Sequence, residues 1–294
     1  MAGAVWRLGR GRAAADPLPR PFDAAAAWTV DRALRSLAGL VAAAGRPMPS
    51  FYAVSLDAGD MRLRLAVPDH EPPLPWNADE DGLGWFASLR ALQAVPLDEQ
   101  IDAPSPRLVT LGTDGGTRVL IDLGQATGVI AVEGPAAGIR AMLQGWITEL
   151  AAGPWADEVR VIVAGVEPVD GGGASPSRVQ HVGGAREALA AVGASSVGWA
   201  GGGAVAGVLR GGAGPGQEAP GVLILGNGAR GNEVEQVQAL AGRPDAGWAV
   251  VFSGRVPAAR WRFTLGADGR LDTGVLGITV QVSDRSAAAV SSGR

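Results

Sequence analysis

The sequence of 294 residues carries a formal net charge of −4, which gives it no general attraction to nucleic acid or to an anionic membrane surface. With 47% hydrophobic residues it can bury a core, as one large domain or two modest ones. The absence of cysteine excludes disulfides, thiolate nucleophiles and cysteine-bound zinc, and two histidines far apart disfavour a histidine metal site.

The N-terminal part predicts a flexible tail over 1–22 and a small α+β module over 23–105. The tail combines arginines with prolines and shows no hydrophobic period. The module begins with a helix capped by Asp23 and continues with a hairpin of two alternating strands, 51–56 and 61–67. The loop after the hairpin holds His70, which could be a proton carrier or a ligand, although a solvated loop histidine is the simpler interpretation.

The larger domain is predicted over 106–282, with a frayed tail over 283–294. Near-continuous apolar runs, the pattern of strands buried on both faces, occur at 129–132, 159–163, 222–225 and 250–252. A terminal β-hairpin is expected around the turn 266–269. We therefore predict an α/β fold whose mostly parallel sheet, flanked by helices, resembles that of P-loop NTPases.

An amphipathic helix follows the first of these strands. Its apolar face consists of Ile139, Met142, Leu143, Trp146, Ile147 and Leu150. We assign Arg140, Gln144, Thr148 and Glu149 to the opposite, solvent-facing side. The order strand, glycine turn, helix is the one in which P-loop proteins hold phosphate, because the helix start presents free N–H groups and the positive end of the helix dipole.

The residues of this turn depart from the P-loop motif G-x-x-x-x-G-K-[ST]. Counted from Gly134, the second glycine position holds Ile139, the lysine position Arg140 and the hydroxyl position Ala141. The chain contains no lysine at all, so another segment does not supply the missing ammonium. We interpret Gly134, Gly138 and Arg140 as a vestigial phosphate loop, and expect no cofactor and no metal.

The strand at 222–225 lacks a second group that an ATPase needs. In an active enzyme such a strand would end in acidic residues that hold the Mg²⁺ water and activate the nucleophile. Here it is followed by Gly226 and Asn227. Two independent losses favour a protein that is not an enzyme.

Three further segments have two interpretations each. Asp170 could lie near a ligand at the end of a strand, or it could belong to a glycine turn. His181, before a helix, is more simply a structural histidine than a ligand. The uncharged run 188–209 is long enough to span a bilayer, but its glycines favour a helix end followed by strands and a turn.

The segments IDL and VIAVEGPAAGIRAMLQGWITELAAGPWADEVRVIVAG resemble a known family. They look like the degenerate nucleotide-binding core of large actinobacterial membrane proteins that often carry LysM repeats and a bacterial transcriptional activator domain. That core is distantly similar to FtsK/SpoIIIE-type ATPases. The resemblance, which extends from about Asp23 to Val282, implies a P-loop-derived α/β domain.

The leading functional hypothesis is a non-catalytic interaction or scaffold module. Its partner would be another protein, or other domains of an envelope-associated or regulatory assembly, and not nucleic acid. We expect a cytoplasmic location, with contact to the inner face of the membrane only through a partner or an upstream segment. The alternatives are a weak nucleotide-binding sensor, in which Arg140 would contact the anion, and an active FtsK-like ATPase.

Overall fold

The computed structural model describes residues 24–98, 100–156, 159–168, 178–199, 221–226, 231–243 and 247–282, with side chains up to 194 in the fourth of these ranges. The predicted tails 1–22 and 283–294, the Asp170 loop and residues 200–209 of the uncharged run lie outside this part of the chain, whereas residues 188–199 of that run are helical. Within it, none of the helices is both long enough and apolar enough to cross a membrane.

The described strands form one sheet and the helices pack on its faces. The strands are β1 (Phe51–Leu56), β2 (Asp60–Leu65), β3 (Asn77–Ala78), β4 (Gly84–Ser88), β5 (Leu108–Asp114), β6 (Thr117–Asp122), β7 (Val129–Glu133), β8 (Arg160–Ala164), β9 (Val179–Val182), β10 (Gly221–Leu225), β11 (Trp248–Ser253), β12 (Trp261–Leu265), β13 (Arg270–Asp272) and β14 (Thr279–Gln281). The helices are α1 (Ala24–Ala43), α2 (Leu89–Gln93), α3 (Ala136–Ala152), α4 (Ala185–Trp199) and α5 (Asn232–Ala241).

The sheet is mixed, so the prediction of a mostly parallel sheet is wrong. Its order is β3-β4-β2-β1-β6-β5-β14-β13-β12-β7-β11-β10-β8-β9. Eight of its thirteen pairings are antiparallel and five are parallel. The physical reason is that the N-terminal hairpin does not form a sheet of its own. Its strand β1 pairs with β6 and so extends the sheet with antiparallel strands across the predicted domain boundary.

The parallel part lies at one end of the sheet, in the order β12-β7-β11-β10-β8-β9. The four inner strands, β7, β11, β10 and β8, are short apolar runs buried on both faces, as the sequence predicts. On β7, Ile130 and Val132 belong to the same core cluster as the apolar side of α3. Val129 and Ala131 belong to a second cluster with α4 and α5. Because neighbouring residues of a strand face opposite ways, α3 covers one face, and α4 and α5 cover the other.

The antiparallel part carries α1. The helix buries Val30, Leu34, Leu37 and Val41 on one face. Arg35 ties α1 to the rest of the chain, because its guanidinium donates to the carbonyls of Ile101 and Pro154 while it pairs with Asp31. The helix is therefore fastened both to the segment before β5 and to the end of α3.

Side chains from α3 and the turn after it hydrogen-bond to the backbone of β5. Trp146 Nε1 donates to the carbonyl of Thr110 at 2.8 Å, and Trp155 Nε1 donates to the carbonyl of Leu108 at 3.0 Å. The Thr110 N–H donates to the Glu149 carboxylate at 2.5 Å. Glu149 is therefore buried, and its predicted position on the solvent-facing side of α3 is wrong. The prediction assigned this charged residue to solvent, whereas its carboxylate accepts a hydrogen bond from the backbone of β5.

Candidate functional site

The carboxyl ends of the parallel strands form the edge at which an α/β fold of this kind holds a ligand. From β7 the chain runs through α3 to β8, past β11 and β10. From β11 it runs in the opposite direction, past β7, to β12. The outgoing connections of two adjacent strands thus leave in opposite directions, the arrangement at which open α/β sheets bind their ligands. The turn that was predicted as a phosphate loop lies at this position.

Each of the four inner parallel strands is followed at this edge by a glycine. Gly134 follows β7, Gly165 follows β8, Gly226 follows β10 and Gly254 follows β11. A Cβ at Gly226 would lie 2.3 Å from the carbonyl oxygen of Gly165, so the ends of β10 and β8 need glycine to approach so closely. Only Gly134 and Gly226 were singled out from the sequence. The recurrence of glycine after every buried run is the signal that identifies the complete edge.

The turn between β7 and α3 is short. It consists of Gly134 and Pro135 alone, because β7 ends at Glu133 and α3 begins at Ala136. Gly134 has φ +146°, and a Cβ there would lie 2.3 Å from the carbonyl oxygen of Leu265 on β12. Proline has no N–H, so these two residues add one backbone donor to the free N–H groups at the start of α3, whereas a longer phosphate-binding loop adds several of its own.

The start of α3 has the polarity of an anion site but no side-chain cap. Pro135 occupies the N-cap position and makes no side-chain hydrogen bond to the helix. Gly138 is buried, with its Cα facing Leu265, whose Cδ2 would lie 2.8 Å from an added Cβ. Arg140 is exposed and lies in the second turn of α3. Gly134 and Gly138 thus both lie against Leu265, while Arg140 extends into solvent from the helix.

The end of β11 contributes residues that the sequence reasoning did not name. The N–H of Gly254 donates to the carbonyl of Val132 at 2.8 Å, so the backbone after β11 continues alongside β7 up to the glycine turn. The next residue, Arg255, is exposed. Asn227, which follows Gly226, lies outside the described residues.

The remaining sequence candidates do not meet at this edge. His70 is exposed in the loop after β2, and His181 is exposed on β9. Among the described residues there is no group of three or more histidine, aspartate or glutamate side chains arranged to hold a metal ion. Neither histidine therefore joins a metal centre in this part of the chain.

The strongly perturbed carboxyl of the described chain lies elsewhere on α3. Burial raises the pKa of Glu149 to about 7, and hydrogen bonds from Thr110 and the charge of Arg118 offset only part of this shift. Glu149 lies thirteen residues after the start of α3, which corresponds to about 20 Å along the helix axis at 1.5 Å per residue. It therefore takes no part in the chemistry of the glycine edge.

Comparison with known proteins yields matches among solved structures alone. No model of a protein family matches the chain, and no curated protein matches it. The pCW3 conjugation coupling protein TcpA, solved as a monomer with ATPγS, is 10% identical with a TM-score of 0.40, over 90% of this chain and 99% of that one.

Two further similar structures are of Thermomonospora curvata EccC. Its ATPases 2 and 3, in complex with a signal sequence peptide, are 13% identical with a TM-score of 0.35, over 75% of this chain and 53% of that one. The cytoplasmic domain of this type VII secretion ATPase is 11% identical with a TM-score of 0.33, over 70% of this chain. This chain spans about half of the first and 30% of the second.

At 10–13% identity and TM-scores of 0.33–0.40, these three structures are similar to the chain in fold alone. The prediction that the chain is not an enzyme is contradicted, because the similar structures are ATPases or hold an ATP analogue. The predicted association with LysM repeats and transcriptional activator domains, the actinobacterial origin and the contact with a membrane gain no support from these structures.

Proposed function

We propose that this chain is a protein-interaction module with a P-loop ATPase-like core, working within a larger envelope-associated or regulatory assembly. The observation that carries the proposal is the glycine edge. Its turn after β7 has two residues and one backbone donor, and the sequence has no lysine to neutralise a triphosphate. Such an edge offers a nucleotide few contacts, which favours a role for the fold in presenting surfaces to other proteins.

Exposed apolar side chains support this role. Five large hydrophobic residues have at least 42% of their surface exposed: Trp28, Val67, Leu74, Leu83 and Val275. Leu74 and Val275 are the most open, at 83% and 78%. Single exposed apolar residues are common on any protein, so the proposal requires that these particular ones contribute to binding.

A capture experiment tests the proposal. The full chain is immobilised and exposed to an extract of its native host, in parallel with the variants Leu74→Arg and Val275→Arg and with the matched control Gln93→Arg at an exposed polar position. We expect a partner that is retained by the wild-type chain and the control and lost with at least one of the two variants. Retention that is the same for all four chains would contradict a role for these side chains in partner binding.

A second candidate function is a nucleotide-responsive module. It is favoured by the helix start without a side-chain cap, and by Arg140, whose guanidinium could contact an anion. Calorimetric titration with millimolar Mg-ATP tests it, with Arg140→Ala as the variant and Arg186→Ala, an exposed arginine on α4, as the control. Saturable binding lost only in Arg140→Ala would favour this candidate. Repeated phosphate release that the same substitution abolishes would establish an ATPase.

A further inference from the structure

The region around Glu149 brings together four elements, α1, β5, β6 and α3, which come from three separate stretches of the sequence. Glu149 on α3 is 3% exposed, and its carboxylate accepts a hydrogen bond from the Thr110 N–H on β5. A small cavity, with room for about one water molecule, lies beside it. It is lined by Ala26, Ala27, Thr110, Arg118, Leu120, Glu149 and Trp155, and so reaches α1 as well as β5 and β6.

The charged groups around this cavity are few. Arg118, on β6, is the charged lining residue besides Glu149, and its charge favours the ionised carboxyl. On α1, Asp31 lies one turn beyond Ala27 and is paired with Arg35 at 2.9 Å. Arg35 also donates to the carbonyls of Ile101 and Pro154. The residues of β5 and α1 that line the cavity carry no charge, so an ionised Glu149 has Arg118, the N–H and hydroxyl of Thr110, and water to stabilise it.

We propose that the protonation state of Glu149 controls the packing of the first turns of α1. A neutral Glu149 keeps these turns packed against α3 and β5, and an ionised Glu149 loosens this packing. A neutral carboxyl can remain in the small cavity beside Ala26 and Ala27. A carboxylate there requires hydration, because a buried charge without sufficient polar partners is costly. Water enters most readily by displacement of the start of α1. The remainder of that helix stays docked through Arg35 and through its buried face.

Hydrogen exchange measured by mass spectrometry on the full chain tests whether the start of α1 opens when Glu149 ionises. Exchange in peptides covering 24–30 is compared at pH 6 and pH 8, after correction for the intrinsic chemical rate. With a pKa of about 7, the ionised fraction of Glu149 rises from roughly one tenth to nine tenths over this range, so the opening constant should rise about tenfold. Peptides from α5, on the opposite face of the sheet, should show no such change.

Two variants distinguish the effect of Glu149 ionisation from a general effect of pH. Glu149→Gln is nearly isosteric, keeps an acceptor for the Thr110 N–H and does not ionise, so it should abolish the pH dependence at 24–30. Glu235→Gln, at an exposed position of α5, should behave as the wild type. A pH-independent opening of 24–30 in the wild-type chain would overturn the proposal even if Glu149→Gln failed to fold. The same pH dependence in Glu149→Gln as in the wild type would also overturn it.

Discussion

Glu149 on α3 and Thr110 on β5 are joined by a hydrogen bond between a helix side chain and the strand backbone. The Glu149 carboxylate accepts from the Thr110 N–H, and Trp146, one turn earlier on the same helix, donates to the Thr110 carbonyl. Both backbone groups of one β5 residue are thus satisfied by side chains of α3. This contact joins the antiparallel half of the sheet to the helix that follows the glycine turn.

The first prediction concerns the pH dependence of stability. The pKa of Glu149 is raised from 4.5 to about 7, so its contribution to stability is fully present below pH 4.5 and is lost as the pH rises through 7. At 1.36 kcal/mol per pKa unit, the loss is about 3 kcal/mol. Glu149→Gln should therefore be more stable than the wild type at pH 8 by up to about 3 kcal/mol, with a smaller difference at pH 5. Urea unfolding at both pH values measures this, and an unchanged pH slope would contradict it.

The second prediction concerns the hydrogen bond of Trp155. Trp155→Phe keeps a smaller aromatic ring in place of the buried indole and removes the donor to the Leu108 carbonyl, leaving a buried acceptor unsatisfied. We expect a loss of about 1–3 kcal/mol in the free energy of unfolding. Trp28→Phe is the matched control, because Trp28 is 56% exposed, and it should change stability by less than about 0.5 kcal/mol. Equal effects of the two substitutions in urea unfolding would argue against the role given to Trp155.

The third prediction concerns the glycine turn. Gly134→Ala places a Cβ 2.3 Å from the Leu265 carbonyl oxygen, at a residue with φ +146°. The backbone must shift, and we expect a cost of about 1–3 kcal/mol. Gly145→Ala, within α3, meets no atom within 4 Å and should be neutral or stabilising by up to about 1 kcal/mol. Thermal unfolding of the two variants measures the change in stability that each substitution causes. Equal changes for Gly134→Ala and Gly145→Ala would argue against the packing of the turn on β12.

The fourth prediction concerns the attachment of α1. Arg35→Ala removes the hydrogen bonds to the Ile101 and Pro154 carbonyls and the ion pair with Asp31. We expect the free energy of unfolding to fall by about 2–4 kcal/mol. Hydrogen bonds from a charged donor contribute about 1.5–3 kcal/mol each, and their contributions are not fully additive. Limited proteolysis should then cleave α1 earlier in Arg35→Ala than in the control variant Arg90→Ala, which changes an exposed arginine. If both variants resisted equally, Arg35 would not be what fastens the helix.

Individual strands and helices can be predicted from the sequence where one pattern of apolar residues is sufficient to identify them. The apolar runs of β7, β8, β10 and β11 are continuous because both faces of these strands are covered, and the 3.6-residue period identifies the buried side of α3. The position of the glycine turn between β7 and α3 follows from these two patterns. Its short length and its contact with Leu265 do not, because Leu265 belongs to a strand more than a hundred residues later.

The residues alone thus determine the buried strands, the amphipathic helices and the lack of lysine, since these depend on composition and on neighbours within a few positions. The tertiary fold decides how many strands run antiparallel, because β1 joins the sheet by pairing with β6 across the predicted boundary. It also decides that Glu149 is buried. Periodicity assigns a charged residue to solvent, and only the approach of β5 supplies the backbone N–H that makes its burial tolerable.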